Sequence, residues 1–278
     1  MNKHWLAWFV AAILAAILPL MFKQSFALSL FCQMGINIIF ALSYNMLLGQ
    51  TGMLSFGHAV YFGLAAYFCA HALNAMGQGA FSFPVTLVPL IGGAIGLLFG
   101  VILGYITTKR SGTPFAMISL GIGELVAAGS QMFPDFFGGE AGISTNRVAG
   151  TKAFGISYGP QIEVYYLIAA WALLSAIAMY AFTKTPLGRM ANAVRDNAER
   201  AQFVGYDPQR VRYLVFIIAS FFAGIAGALS AINFEIVTVE NVGLAASGFV
   251  LFMAFMGGTG SFYGPVIGAI LVTFLQVA

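Results

Sequence analysis

The stretch PVTLVPLIGGAIGLLFGVILGYIT, from Pro84 to Thr107, contains 24 residues and no charged side chain. A helix needs about 20 apolar residues to cross the hydrocarbon core of a bilayer, so this stretch predicts a membrane-spanning helix. The whole chain has the same character, because 60% of its 278 residues are apolar, 8% are charged and its mean hydropathy is +0.90. A water-soluble domain cannot cover that much apolar surface with so few polar residues. The net charge of +3 does not indicate a nucleic-acid partner.

Similar apolar stretches recur along the chain and predict an all-α, polytopic transmembrane helical bundle of about 8–10 spans. We expect one domain over residues 1–278, with the first span retained rather than cleaved as a signal peptide. The third stretch and the last two are short, and they are expected to be broken or re-entrant. The predicted spans are Trp5–Phe22, Ala27–Leu48, Phe56–Leu73, Pro84–Thr107, Pro114–Phe133, Val164–Phe182, Val211–Asn233, Val242–Met256 and Phe262–Ala278.

The positions of lysine and arginine predict the orientation. With a cytoplasmic N-terminus, nine of the 12 basic residues fall on the inner side and three on the outer side. The inverted topology reverses this bias, so the cytoplasmic N-terminus is favoured. The polar loop of residues 134–161 is then external, either as a folded contact for a soluble partner or as a solvated connector. The polar segment of residues 184–210 is then cytoplasmic.

Within that segment, LGRMANAVRDNAERAQFVGYDPQR (residues 187–210) predicts one amphipathic helix from Leu187 to Val204, with Arg195 facing away from its apolar stripe. Gly205 predicts a left-handed helix end, and Asp207 predicts the cap of the next helix. A stripe of small residues favours docking in a groove of another protein over lying on a lipid surface. The stripe consists of Met190, Val194, Ala198, Ala201 and Val204. Asp196 and Arg200 have the i,i+4 spacing of a helical ion pair.

Glu199-Arg200-Ala201, followed by Gly205, resembles the E-A-A-x3-G loop of ABC importer permeases, with Arg200 in place of a small residue. In that family this loop forms the coupling helix that docks in a cleft of the ATPase subunit. Residues 185–208 as a whole, Asn45–Ala59 and Gly257–Pro265 resemble the more particular LivM type of branched-chain amino acid permease.

This resemblance implies a permease subunit of a bacterial inner (plasma) membrane that moves branched-chain or similar apolar amino acids into the cytoplasm. It implies three kinds of protein partner: a homologous second permease subunit, two ATP-binding subunits, and a periplasmic or extracellular substrate-binding protein. No G-x-x-x-x-G-K-[ST] phosphate loop occurs in the sequence, so ATP hydrolysis is expected in the partner chains and not here. The residues expected to couple to the ATPase are Arg189, Val194, Asp196, Glu199, Arg200, Ala201 and Gly205. Urea or short amides are alternative solutes.

Four polar residues are possible pathway residues: Glu124, Asn45, Gln50 and His58. A carboxylate in the middle of a span is costly in lipid, so Glu124 is expected to face the interior of the bundle, as a pathway residue or as a packing contact. Asn45 and Gln50 suit hydrogen bonds between helices or a path lining. The cysteines and histidines lack metal-ligand spacing, so no metal or cofactor is expected. A secondary transporter with Glu124 as its ion site is the rival hypothesis.

Overall fold

The structure is a computed structural model that describes residues 3–22, 24–80, 82–149 and 156–277, and in these ranges the chain is almost entirely helical. The only sheet among them has two short strands. The helices are α1 Lys3–Met21, α2 Ser25–Thr51, α3 Ala59–Gly77, α4 Val88–Thr107, α5 Thr113–Met132, α6 Pro134–Phe137, α7 Gln161–Lys184, α8 Pro186–Asp196, α9 Ala198–Phe203, α10 Pro208–Phe234, α11 Leu244–Gly257 and α12 Gly264–Val277. The strands are β1 Ile143–Ser144 and β2 Ile236–Val237.

The predicted helical membrane bundle is confirmed. Six helices in the described part of the chain are long and apolar enough to cross a membrane: α2, α3, α4 (with the short turn before it), α5, α7 and α10. Shorter apolar helices account for the other three predicted spans. The last two spans are short, as expected, since α11 and α12 have 14 residues each.

The centre of the bundle is α10, which packs against α2, α3 and α4. Its contact with α4 is made by glycines that recur every fourth residue of α4, at Gly92, Gly96, Gly100 and Gly104. A Cβ atom on Gly96 would overlap the backbone carbonyl oxygen of Ser220 on α10. Small residues therefore allow the two helix backbones to approach closely, which is how helices associate where lipid provides no hydrophobic driving force.

Between α2 and α3 the backbone leaves the helical path, and it is buried here rather than exposed to lipid. The amide of Phe56 donates to Ser119 Oγ on α5 at 3.1 Å, and the amide of Ala59 donates to Ser247 Oγ on α11 at 3.0 Å. Buried non-helical backbone needs such partners, because hydrocarbon provides none. The predicted third span, Phe56–Leu73, therefore begins later, at Ala59, and is helical from there.

The bundle has two distinct ends. At one end, β1 and β2 pair antiparallel, with Ile143 opposite Val237, so the loop after α5 and the loop after α10 lie together. We call this the sheet end. Arg147 strengthens it by donating to the carbonyl oxygen of Gly159 at 3.0 Å and to Gln161 Oε1 at 3.2 Å. The described part of the loop 134–161 is thus folded onto its own chain. The α8–α9 end lies opposite.

Candidate functional site

The first half of the predicted coupling segment, α8, lies against α2, α7 and α10. Thr185 begins the helix as an N-cap, since its side-chain oxygen accepts from the amide of Gly188 at 3.2 Å, and Pro186 occupies the first turn. Ala191 and Val194 are completely buried in this contact. The apolar face of α8 is therefore used within the chain itself.

The prediction of one helix from Leu187 to Val204 is wrong, because the chain bends at Asn197. This residue has an extended backbone, and its Oδ1 accepts from the amide of Arg200 at 2.8 Å, so it caps α9 as a new helix. Asparagine favours such caps because its side chain competes for backbone amides. The bend removes the i,i+4 geometry, and Asp196 pairs with Arg195 at 3.0 Å rather than with Arg200.

The predicted corner after α9 is confirmed. Gly205 has a φ of +94°, a left-handed conformation that a residue with a Cβ atom rarely adopts. Asp207 then caps α10, because its Oδ1 accepts from the amide of Gln209 at 2.9 Å, and Pro208 occupies the first turn. The corner directs the chain from α9 into α10, the most buried of the six long helices in the described part of the chain.

The surface that α9 and the corner expose differs from the predicted stripe. Val194 and Ala201 are buried against their own chain, whereas Val204 is exposed. Phe203 is 91% exposed, and Tyr206 is half-exposed beside it. Phe203 lies outside the predicted stripe, on the opposite face of the helix that the sequence predicted. The charged residues among the predicted coupling residues are also exposed: Arg189, Asp196, Glu199 and Arg200.

Arg195 joins this segment to the membrane helices, a role that the sequence pattern did not indicate. Its guanidinium group donates to the carbonyl oxygen of Gly49, one of the last carbonyls of α2. The last carbonyls of a helix have no intrahelical partner and carry partial negative charge, so a cation is favourable there. Gly52 ends α2 with a φ of +70°, and a Cβ atom there would lie 3.1 Å from Arg195 Cγ. The end of α2 thus fits closely around this arginine.

Three of the predicted pathway residues, Asn45, Gln50 and His58, are buried at the same end of the bundle. His58 Nε2 is hydrogen-bonded to Ser43 Oγ at 3.0 Å, and Asn45 Nδ2 donates to the carbonyl oxygen of Ser261 at 3.5 Å. These contacts attach the loops before α3 and α12 to α2. Among the described residues, Asn45 Oδ1, Gln50 Oε1 and His58 Nδ1 have no hydrogen-bond partner. The three side chains therefore have unused hydrogen-bonding capacity beside α2.

Glu124 lies elsewhere, and the prediction that it faces the interior of the bundle is wrong for this chain. Ser119 and Gly123 form the inward face of α5, where a Cβ atom on Gly123 would lie 3.5 Å from the Cα atom of Gly57. Glu124, the next residue, is exposed. The structure thus separates Glu124 from the other three predicted pathway residues.

A groove of about 460 Å³ opens near the sheet end between α2, α10, α11 and α12. Its lining combines polar side chains such as Asn37 and Glu240 with apolar ones such as Phe40 and Phe249. Asn37 Nδ2 donates to Thr273 Oγ1 at 2.8 Å, which joins α2 to α12 below the groove. A mixed polar and apolar lining suits a small amphiphilic solute, but the four predicted pathway residues do not line this groove.

In the residues that the structure describes, no group of three or more His, Cys, Asp or Glu side chains is arranged to hold a metal ion. Both cysteines, Cys32 and Cys69, are buried and free.

Comparison with known proteins identifies the relatives of this chain. Over 258 residues it is 30% identical to the high-affinity branched-chain amino acid transport system permease protein LivM of Escherichia coli K12, a match that covers 85% of this chain and 60% of LivM. It is 27% identical over 263 residues to the galactose/methyl galactoside import permease protein MglC of Haemophilus influenzae, covering 88% of this chain and 75% of MglC. It is 23% identical over 280 residues to the ribose import permease protein RbsC of the same organism, covering 96% of this chain and 81% of RbsC.

The match thus spans about 60% of the length of the LivM relative. No solved structure matches the chain. The family model described as branched-chain amino acid transport system / permease component matches residues 26–278 and includes the loop before α3, the α8–α9 segment and the α11–α12 hairpin. With its multi-pass helical bundle and this match over most of its length, the chain belongs to the family of branched-chain amino acid transport system permease components.

Proposed function

We propose that this chain is the membrane-spanning subunit of an ATP-binding-cassette importer that moves branched-chain or similar apolar amino acids into the cytoplasm. The family supports a permease of this transporter type. Its proposed partners are a homologous second permease subunit, two ATP-binding subunits and a periplasmic or extracellular substrate-binding protein. In this proposal the ATP-binding subunits hydrolyse ATP, since the sequence of this chain has no phosphate-loop motif.

The observation that carries the proposal is the geometry of the α8–α9 end. Phe203, Val204 and Tyr206 form an exposed apolar tip in a segment whose charged side chains are also exposed. Isolated exposed aromatic residues at a protruding corner are typical anchors for a protein groove. Behind the tip, α8 is buried against α2, α7 and α10. A force applied to the tip by an ATPase subunit would reach the membrane helices through α8.

Arg195 provides a specific connection for that force, since it links α8 to the end of α2. The nearby contacts of Asn45 and His58 then connect α2 to the loops before α12 and α3. In the proposed cycle, movement of the ATPase subunits shifts α8 and, with it, the end of α2. The bundle thereby changes between two packings that open to opposite sides of the membrane.

The orientation that this function requires is supported by charge. Trp8 of α1 contacts the rings of Tyr180 and Phe262, which places the N-terminal part of α1 at the α8–α9 end. The short loop with Lys109 and Arg110 lies at that end too. The positive-inside rule then favours a cytoplasmic α8–α9 end, and with it a cytoplasmic N-terminus in a bacterial inner membrane.

The amino-acid substrate is proposed from the name of the LivM relative, whereas MglC and RbsC are named for sugars. Uptake of leucine, galactose and urea into proteoliposomes tests this choice. The vesicles contain the transporter with its ATPase subunits and binding protein, and no ion gradient is present. We expect leucine uptake that requires ATP. In a parallel sample without ATP, a proton gradient is imposed across the vesicle membrane. Uptake driven by that gradient would instead support a secondary transporter, with Glu124 on α5 as its candidate ion site.

The docking role of the tip has its own test. Phe203→Ser should weaken binding of the ATPase subunit by roughly 10-fold or more, because the change removes an exposed aromatic anchor. Phe26→Ser is the matched control, since Phe26 is also strongly exposed but lies near the sheet end. Co-purification of the ATPase subunit with each variant gives the answer. Equal retention by both variants would show that the tip does not contact the ATPase.

A further inference from the structure

The outward face of α5 differs from the other exposed helix faces. Glu124 is exposed on it, and the other exposed residues of this face are two small ones, one polar one and two large apolar ones: Gly121, Ala128, Gln131, Met117 and Leu125. These residues fall within one 120° arc of the helix, and Gly121, Glu124, Ala128 and Gln131 follow one another at spacings of three, four and three residues. Apart from the nearby backbone of α5 itself, no atom of the described residues lies within 4 Å of a Cβ atom placed on Gly121, so the face is open at this point.

Glu124 lies near the middle of the span. α5 runs from Thr113 to Met132, so at 1.5 Å per residue Glu124 is about 16 Å from the first residue and about 12 Å from the last. Among the described residues of the six long helices, it is the only charged one more than five residues from a helix end. A carboxylate at this depth is costly next to lipid chains and is normally paired or in contact with water.

The exposed face of α4 shows what a lipid-facing surface of this chain looks like. It is aliphatic except for Tyr105 near the end of the helix, and α4 contains no charged residue between Val88 and Thr107. Its exposed members include Leu90, Leu97, Leu98, Val101 and Ile102. α5 is also the long helix that its own chain covers least. The exposed face of α4 is therefore apolar over its whole length. On the exposed face of α5, a carboxylate and two small residues lie between the large apolar side chains of Met117 and Leu125.

We infer that the face of α5 formed by Gly121, Glu124, Ala128 and Gln131 is covered by a second permease chain in the assembled transporter, and that Glu124 lies at a water-filled gap between the two chains. The inference rests on the proposed function, which requires a second permease. Small residues allow a partner helix to approach closely, as those of α4 allow α10 to approach within this chain. A gap at Glu124 would keep the carboxylate hydrated and would place it beside a path that the two chains share.

Spin labels at matched depth test the inference. Gly121 is the eighth residue after the start of α5, and Leu98 of α4 is nine residues before the end of its own helix, so both lie near mid-span. Gly121→Cys and Leu98→Cys chains are labelled, and collision of each label with molecular oxygen, which is concentrated in the lipid chains, is measured. The measurement is made in the assembled transporter and in the isolated chain in lipid nanodiscs.

We expect oxygen collision at position 121 to be at least threefold lower than at position 98 in the assembled transporter, and to rise to the level of position 98 in the isolated chain. A label at Glu124→Cys should collide with a water-soluble nickel chelate in the assembled transporter. Equal oxygen collision at positions 121 and 98 after assembly would overturn the covered interface. Shielding at 121 without nickel collision at 124 would overturn the water-filled gap.

A second variant pair tests the partner directly. Gly121→Trp should prevent co-purification of a chain that matches the same permease family, or of a second, differently tagged copy, whereas Leu98→Trp should not. Loss in neither variant would contradict the inference. If uptake requires ATP but the label at position 121 stays accessible to oxygen, this inference is refuted and the proposed function stands. If uptake does not require ATP but the label at position 121 is shielded from oxygen, the contact with a second chain stands and the proposed coupling to an ATPase is refuted.

Discussion

Replacing Arg195 with alanine should loosen the end of α2 and uncouple it from α8. The guanidinium group is the hydrogen-bond donor to the carbonyl oxygen of Gly49. A hydrogen bond to a charged group contributes about 1.5–3 kcal/mol. Because the Arg195 side chain is 38% exposed, solvent screens part of this and about 1 kcal/mol remains. That energy corresponds to roughly a fivefold increase in local opening.

Hydrogen exchange measures this opening directly. In Arg195→Ala, amides in the last turn of α2 should exchange about fivefold faster than in the unmodified chain, while those in the middle of α2 should not change. In the reconstituted transporter, the solute moved per ATP should fall while ATP hydrolysis continues. Arg195→Lys keeps the charge but loses the planar fork, so it should give an intermediate result.

Arg110→Ala is the matched control, because Arg110 is exposed at the same end of the bundle and has no ion pair or hydrogen bond to other described residues. It tests whether loss of one positive charge at this end is enough to cause the effect. If Arg195→Ala and Arg110→Ala change exchange and coupling equally, the contact with α2 does not transmit force. Unchanged exchange in the last turn of α2 would likewise refute the reasoning.

Three further substitutions test other parts of the structure. Gly205→Val should lower the amount of solute moved per ATP, while the protein still inserts into the membrane. The space around Gly205 is open, but a branched residue in its left-handed backbone conformation costs about 1–2 kcal/mol. Gly96→Ala should lower the melting temperature by several degrees, since the new Cβ atom overlaps a backbone carbonyl of α10. Gly129→Ala, which faces open space, should not lower it. Ser247→Ala should cost about 1–2 kcal/mol of stability by leaving the first amide of α3 without a partner. The Ser130 hydroxyl bonds only within its own helix, so Ser130→Ala should lower the stability less. Thermal denaturation measures both variants.

Local signals in the sequence predicted the local features of the structure well. The left-handed corner at Gly205, the cap at Asp207 and the start of α10 at Pro208 depend on backbone preferences of single residues. The bend at Asn197 depends on the same physics, but the helical periodicity of the apolar residues continues through it. The periodicity therefore suggested one helix where the asparagine side chain begins a second one.

Features that depend on distant contacts could not be predicted from the sequence. The partner of Arg195 is a carbonyl group of Gly49, and a backbone group leaves no specific trace in a sequence. Phe203 is exposed and Val194 is buried because α8 packs on three membrane helices before α9 turns away from them. An amphipathic pattern identifies an apolar face, but it does not tell whether that face meets the same chain or another protein.

In this chain, hydrophobicity does not separate the inside of the bundle from the outside, because lipid accepts the same side chains as the core. Glycine spacing gives the missing information on α4, where the glycines face α10 and the aliphatic residues face outward. On α5 the glycines divide between two faces: Gly123 packs beside the loop before α3, and Gly121 lies in the open beside Glu124. A helix with small residues on both faces is suited to close contacts on both. The inner face of α5 makes its contact within this chain. A carboxylate on the outer face is costly next to lipid, which supports the inferred contact of that face with a second chain and with water.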